Sequence, residues 1–352
     1  MNGPNFVAEG RLIGGNASTF IVAEVGANHG GDPGIAHRMI DVAAECGVDA
    51  VKFQTYTSTE LVADYSRLVT WGPPDGQHTE PIGELFDRVA LDRRYHSELF
   101  DHAREVSLIP FSTPFSEDGV EFLASIGSPM LKLASSDVSY LDLIHCAMQT
   151  GLPVILSTGK STLSEVADAV DVLRAGSTGG FALLHCVAQY PAPLEALNLK
   201  LIRSLGMIFP DAVVGFSDHS IGTSAAMVAV TLGAQILEKH FTLAHDAGGP
   251  DDWFSADPEG LYELVSSIRH AESMLGDGRK TISSVELEER RVSTRSVVLA
   301  VDKKAGDSLS RSDLKVVRPG YGIAPSETSH LVGLTVNKDL PCNSVLQWDD
   351  VT

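Results

Sequence analysis

The chain has 352 residues, 43% of them hydrophobic, with 26 Lys+Arg against 46 Asp+Glu and a formal net charge of −20. The apolar share excludes a disordered chain, and the acidic balance excludes nucleic acid or an anionic membrane surface held by bulk electrostatics, since that affinity rests on Lys and Arg neutralising phosphates. A small anionic substrate is compatible with it wherever a few cations converge locally.

The first residues, MNGPNFVAEGRLIGG, lack a basic stretch followed by an apolar one, so no secretory signal is predicted. The longest mostly apolar stretch, 224–237, is shorter than the roughly 18 residues of a spanning helix. A soluble, cytoplasmic protein is expected. Cys46, Cys146, Cys186 and Cys342 lie far apart, with neither zinc nor redox spacing.

From Phe20 onward, short β-branched runs alternate with amphipathic stretches of helical length. Strands are predicted at 20–25, 49–54, 109–113, 129–134, 153–158, 181–186, 212–217 and 235–241. Helices are predicted at 35–46, 94–106, 117–126, 141–150, 161–175, 197–206, 222–232 and 258–274, each with one-sided apolar spacing. Eight βα units in about 250 residues fit a closed (β/α)₈ TIM barrel. The competing open, doubly wound sheet weakens because AEVGANHGG is not the Gly-rich dinucleotide turn.

Two segments break the rhythm. Residues 55–92, with WGPPDGQ, are too long for an ordinary βα connection and are predicted to be an active-site lid. After Leu275 the charged run GDGRKTISSVELEERR reads as a linker, followed by SVVLAV, LKVV and the turn-rich RPGYGIAP. The predicted organisation is a barrel over 1–275, a linker over 276–292 and a small β-rich module over 293–352.

Barrel enzymes carry their chemistry at the C-terminal ends of the strands. Those ends hold Glu24, with Asn28 and His29 beyond it; Lys52 and Gln54; Ser112 and Thr113; Lys132, then Ser135, Ser136 and Asp137; Ser157, Thr158 and Gly159; His185, with Gln189 and Tyr190 beyond; Ser217, Asp218 and His219; and Glu238, Lys239 and His240. Adjacent strands lie about 4.8 Å apart, so His219 and His240 are placed to share one ion, against the alternative of two ordinary polar caps. Lys52 and Lys132 interrupt apolar strands, where an unpaired ammonium is costly. Either they form ion pairs with Glu24 or Asp137, or, with the hydroxyls of Thr113, Ser135 and Ser157 and the Thr158-Gly159 turn, they build a phosphate site.

The ordered motifs AEVGANHGG, AVKFQTY, FSTPFS, KLASSD, VILSTG, LLHCVAQYP, GFSDHS, EKHFTL and GGPD resemble the sialic acid synthase family. The tail STRSVVLAV…LKVVRPGYGI resembles that family's antifreeze-like (SAF) domain. The resemblance implies condensation of phosphoenolpyruvate with an N-acylated hexosamine of the N-acetylmannosamine type, giving a nine-carbon 3-deoxy-2-keto acid and phosphate. It implies a divalent ion, Mn²⁺ or Mg²⁺, on His219 and His240. Lys52, Thr113, Lys132, Ser135 and Ser217 would hold phosphoenolpyruvate, with Ser157 beside them. Glu24 would orient or deprotonate a reacting hydroxyl or water, and Tyr190 and Asp251 would contact the sugar. Arg318 matches the arginine that, in a domain-swapped homodimer, reaches into the partner's barrel toward the N-acyl group of the sugar. Asp137 stands where the family usually has Glu and is carried over as that position's catalytic carboxylate; Ala188 stands where Asn is frequent. GGPDDWFSADP and ANHGG lean toward the pseudaminic acid branch and FSTPFS toward the sialic branch, so a pseudaminic or legionaminic acid synthase acting on a 2,4-diacetamido-trideoxyhexose is the alternative. Outside these, a heptulosonate- or octulosonate-type synthase would lack the tail, and an inactive carbohydrate-binding barrel would have no need of Glu24, Lys52, Lys132, His219 and His240 together.

Overall fold

The computed structural model describes residues 3–176 and 179–352. It divides into two compact units, Met1–Gly276 and Asp277–Thr352.

The first unit is a closed barrel of eight parallel strands: Phe20–Glu24, Ala50–Thr55, Ile109–Pro114, Leu131–Leu133, Val154–Ser157, Phe181–Cys186, Val213–Asp218 and Ile236–His240. The eighth strand closes on the first in the register Ile236↔Phe20 to His240↔Glu24. These strands are buried on both faces, which is why they read as nearly continuous apolar runs. Helices Pro33–Glu45, His96–Glu105, Glu117–Ser125, Leu141–Gln149, Leu163–Gly176, Leu201–Ile208, Ser224–Thr231 and Pro258–Leu275 follow them. Their starts are encoded locally: Asp32 and Asp257 accept backbone N–H groups, each ahead of a proline in the first turn.

The helix expected at 197–206 starts late. A short turn at Leu194–Ala196 and Asn198, at φ +43°, delay it to Leu201. A hairpin that sequence reading passed over, Asn5–Ala8 with Arg11–Gly14, precedes the barrel. Its two-residue Glu9-Gly10 turn has positive φ at both positions, the geometry that suits a tight hairpin. Phe6, Ala8 and Ile13 from this hairpin join Phe20, Val22, Phe111, Met130 and other inward strand residues in one apolar cluster. The long insertion is structured, with a helix Ser58–Leu61, a hairpin Leu68–Trp71 with His78–Pro81, and a helix Ile82–Val89.

In the second unit, the stretch read as linker contains a capped helix, Ser284–Ser293, with no buried residue. Beyond it, Ser296–Leu299 pairs antiparallel with Leu314–Val317 around a core that includes Val297, Leu299, Leu314, Ile323, Leu331 and Leu346.

Candidate active site

Inward side chains alternate along a strand, so each strand that contributes to the apolar layer places its next inward residue one step closer to the C-terminal rim. Two residues beyond Val22, Ala50, Phe111, Met130, Ile155, Leu184 and Ile236 of the apolar cluster come Glu24, Lys52, Thr113, Lys132, Ser157, Cys186 and Glu238. All of these line one cavity of about 740 Å³, together with Gln54, Ser135, Tyr190, Ser217, His219, His240 and Asp251. The outward positions went elsewhere. His185 stacks on Phe216 and bonds the Leu197 carbonyl, and Lys239 forms a buried ion pair with Asp218 at 3.0 Å.

The floor is an ion network. Lys52 Nζ lies 2.6 Å from Glu24 Oε2 and 3.7 Å from Glu238 Oε2, and donates to Thr113 Oγ1 at 3.1 Å. Lys132 Nζ sits 4.0 Å from Glu238 Oε2, and Ser217 Oγ donates to Glu238 Oε1 at 2.8 Å. Glu24 also accepts from Gln54 at 2.9 Å. Lys52 is thus paired with Glu24 as one reading expects, Lys132 reaches Glu238 and not Asp137, and both ammonium groups face a cavity. Burial works against the Lys52 charge, but Glu238 and Glu24 outweigh it and raise its pKa. Burial lowers that of Lys132, with Glu238 opposing. Burial likewise opposes ionisation of Glu238, yet Lys132 and Lys52 bring it down to about 2, whereas Glu24 is raised by burial despite Lys52.

Beside this floor, the Gly159 backbone N–H donates to Ser135 Oγ at 3.0 Å, and Ser157 Oγ is buried without a hydrogen-bond partner. A Cβ on Gly159 would stand 3.0 Å from Ser135 Oγ and 3.1 Å from Cys186 Sγ, so the glycine keeps that corner open. Lys160 and Arg67 add cations at the rim, giving Lys52, Lys132, Lys160 and Arg67 against Glu24, Glu238 and Asp251 among the lining charges. A chain of strongly negative net charge therefore concentrates positive groups around this cavity.

The His219 and His240 rings stand 5.3 Å apart, with Tyr190 4.2 Å from the first. Burial lowers both pKa values, leaving neutral imidazoles with lone pairs to offer. The Val187 carbonyl, 2.9 Å from His219 Nδ1, fixes the proton on that nitrogen and leaves Nε2, with only Ser217 Oγ at 3.5 Å, as the nitrogen carrying the lone pair. His240 Nδ1 is buried without a hydrogen-bond partner, at 3.4 Å from Asp251 Oδ2. This donor set fits a divalent ion with positions left over for substrate. Among the described residues no group of three or more His, Cys, Asp or Glu side chains is arranged to hold an ion without such help. Burial, with Glu24 and Asp252 adding, raises Asp251 to about 7.

Of the residues to which the family resemblance gives a role, two are not among the cavity's lining. Asp137 lies next to the lining residue Ser136 in a short turn, its Oδ2 buried without a partner and its pKa raised to about 6 by burial. Arg318 belongs to the second unit, where it is exposed and makes no hydrogen bond or ion pair among the described residues. Conversely, the sequence marks Glu238 only as a strand-end residue without a role, and it does not single out Lys160 or Arg67. The period-two alternation counted back from His240 identifies Glu238; nothing comparable marks Arg67 on the insertion.

Residues 39–280 match the model of the NeuB family, and residues 294–352 that of the SAF domain. The chain belongs to the NeuB family. It is 37% identical to the N,N'-diacetyllegionaminic acid synthase of Legionella pneumophila over 96% of each chain. To the pseudaminic acid synthase of Helicobacter pylori it is 36% identical, over 94% of this chain and 97% of the relative. The solved N-acetylneuraminic acid (sialic acid) synthetase of Leptospira borgpetersenii, a complex with citrate, superposes with a TM-score of 0.73 at 34% identity, covering 82% of this chain and 95% of that one. The protein is thus an enzyme of the sialic, pseudaminic and legionaminic acid synthase family, a TIM barrel with a C-terminal SAF domain. No described helix is long and apolar enough to cross a membrane.

Proposed function

We propose that this NeuB-family enzyme condenses phosphoenolpyruvate with an N-acylated hexosamine, producing a nine-carbon 3-deoxy-2-keto acid and phosphate. The observation that carries the reading is the buried floor on which Lys52 and Lys132 face a cavity shared with the two neutral imidazoles. An enol phosphate that also carries a carboxylate is a compact polyanion, and it suits two buried ammonium groups flanked by the hydroxyls of Thr113, Ser135, Ser157 and Ser217 and by the open corner at Gly159.

His219 and His240 would hold a divalent cation, Mn²⁺ or Mg²⁺, which supplies Lewis-acid polarisation of the sugar aldehyde. The protein's own groups do the rest. Lys52 and Lys132 fix the enol phosphate so that its C3 faces the aldehyde carbon, and bond formation leaves C2 electron-poor. Glu24, with its proton affinity raised by burial, takes one proton of the water that adds to C2 and passes it to the former aldehyde oxygen, which the new C–C bond leaves as an alkoxide. Collapse of that tetrahedral centre breaks the C2–O bond to phosphate and leaves the 2-keto group. Lys132 and Ser157 then face the departing anion. Tyr190 and Asp251, on the imidazole side of the cavity, contact the sugar. Asp137, one residue past the lining Ser136, acts behind the serines as the carboxylate of that turn.

A second reading of the sugar, a 2,4-diacetamido-trideoxyhexose, is favoured by near-equal identity to a legionaminic and a pseudaminic acid synthase. The active form is a homodimer in which Arg318 completes the partner's site.

The test is phosphate release from phosphoenolpyruvate with N-acetylmannosamine, its 6-phosphate and the 2,4-diacetamido-2,4,6-trideoxy hexoses in turn, with the product mass recorded. Release that depends on one of these sugars and yields the sum mass less phosphate supports the reading. Release independent of every sugar, or none at all in the presence of Mn²⁺ and Mg²⁺, refutes it.

A further inference from the structure

A second cavity, of about 270 Å³, opens off the first beneath the insertion and shares Gln54, Ile82, Phe86 and Asp251 with it. Beyond that polar throat its wall is apolar: Tyr56, Val69, Trp71, Leu85 and Val89 line it, and Leu85 and Val89 are buried. Trp71 is held as a rigid panel. Its Nε1 donates to Glu80 Oε1 at 2.8 Å, Arg88 pairs with the same oxygen at 2.6 Å, and His78 stacks on the ring at 4.8 Å. Tyr56 is pinned between Phe86 and Phe115 by edge contacts at 5.6 and 5.7 Å. None of the wall residues Tyr56, Val69, Trp71, Leu85 and Val89 takes part in the ion network of the floor.

Whole-ligand sites run to roughly 300–1,000 Å³, a range the main cavity meets and the side cavity falls short of. The side cavity is therefore sized for a substituent of the molecule in the main one. A bare sugar carries only hydroxyls, which would lose hydration against Trp71 and Leu85 without gaining partners. An acylamino group has the opposite profile, with an amide that can bond at the Gln54 and Asp251 throat and an alkyl end that suits the apolar wall.

We propose that this side pocket receives an acylamino substituent of the hexosamine and sets how long its alkyl end can be. The proposal rests on the function given above, and it makes residues of the insertion, not of the barrel floor, the determinants of sugar choice. Val69 and Trp71 become specificity residues that leave phosphoenolpyruvate untouched.

The experiment compares N-acetyl, N-propanoyl and N-butanoyl mannosamine with the parent enzyme, with Val69→Phe to fill the pocket and with Trp71→Ala to enlarge it. One methylene in an apolar pocket is worth about tenfold or more in kcat/KM. Filling should thus cost the butanoyl sugar at least about tenfold more than the acetyl sugar, and enlarging should tilt the series the other way, with KM for phosphoenolpyruvate unchanged in both. The same acyl-length profile in all three proteins overturns the proposal. Emission of Trp71, taken as the difference between the parent and Trp71→Phe, is followed on adding each sugar in the presence of phosphoenolpyruvate. A shift that grows with acyl length supports the pocket even where no phosphate is released, an outcome that refutes the proposed reaction alone; emission unmoved by every sugar overturns the pocket.

Discussion

The two ends of the barrel interior are built from the same strands and differ in almost everything else. At one end Phe20, Val22, Ala50, Phe111, Met130 and Ile236 meet Phe6 and Ile13 of the N-terminal hairpin in a dry plug. A single step along the same inward faces, Glu24, Lys52, Thr113, Lys132 and Glu238 form a buried polar floor open to a large cavity. The plug is the kind of packing that contributes stability, whereas a buried ion network replaced by apolar residues of similar volume often loses none. One end of the barrel thus carries stability and the other carries chemistry.

The largest effect is expected at the imidazoles. Chelation should abolish turnover, Mn²⁺ or Mg²⁺ should restore it, and the double variant His219→Ala with His240→Ala should not recover with either ion. Full turnover in the chelated parent removes the metal from the proposal.

At the plug, Ile13→Ala should lower the free energy of unfolding by about 2–5 kcal/mol, since it removes a fully buried aliphatic side chain and leaves a void. Urea denaturation measures the loss, while kcat per folded molecule should stay at the parent value. A comparable fall in kcat would show that the two ends are not independent.

Lys132 tests the converse. Truncating a charge-assisted contact to an anion costs about 1.5–3 kcal/mol, so Lys132→Ala should lower kcat/KM for phosphoenolpyruvate by one to two orders of magnitude and affect the sugar's KM far less. Lys132→Met combined with Glu238→Leu, which replaces the pair with apolar residues and keeps the packing, should lose at least as much activity yet be no less stable than the parent. An unchanged KM and turnover for phosphoenolpyruvate in Lys132→Ala would reduce the lysine to a structural partner of Glu238.

A smaller effect is expected at Arg318, which is exposed and, among the described residues, unpaired in its own unit. Arg318→Ala should impair sugar use alone. Mixing it with a Lys132→Ala barrel should then restore part of the activity, because one of the two mixed sites regains both sound halves. A mixture that never exceeds its parents despite subunit exchange excludes action in trans.

Much of this was legible before the fold was seen, and for a physical reason. Strands buried on both faces are apolar throughout except where chemistry requires otherwise, so Lys52, Lys132 and Glu24 stand out in sequence. The loops between strands are less informative. His185 and Lys239 were equally conspicuous yet point away from the cavity, because a strand-end list ignores the alternation of faces. The N-terminal hairpin is hard to read because its strands have only four residues, and the wall formed by Val69 and Trp71 depends on a hairpin whose strands bury neither face fully, so LVTW and HTEP carry no apolar–polar alternation in sequence.

The smallest expected effect belongs to Asp137, and it turns on pH. Burial raises its carboxyl to about 6 in the folded chain, against about 3.9 for an ordinary aspartate. A carboxyl raised on folding favours the native state most where it is protonated in both states, below its unfolded pKa, and that contribution is lost as pH rises through about 6. Asp137→Asn, which stays neutral, should therefore match the parent's urea midpoint near pH 4 and exceed it at pH 7.5. An equal offset at both pH values would mean that packing, and not the buried charge, separates the two proteins. Activity then sorts the remaining possibilities. If the Asp137→Asn enzyme gains stability at pH 7.5 but loses turnover, the destabilising carboxylate is kept for the reaction; if it gains stability and keeps turnover, with Asp137→Glu no different, the carboxylate behind Ser136 is dispensable and the chemistry lies wholly on the barrel floor.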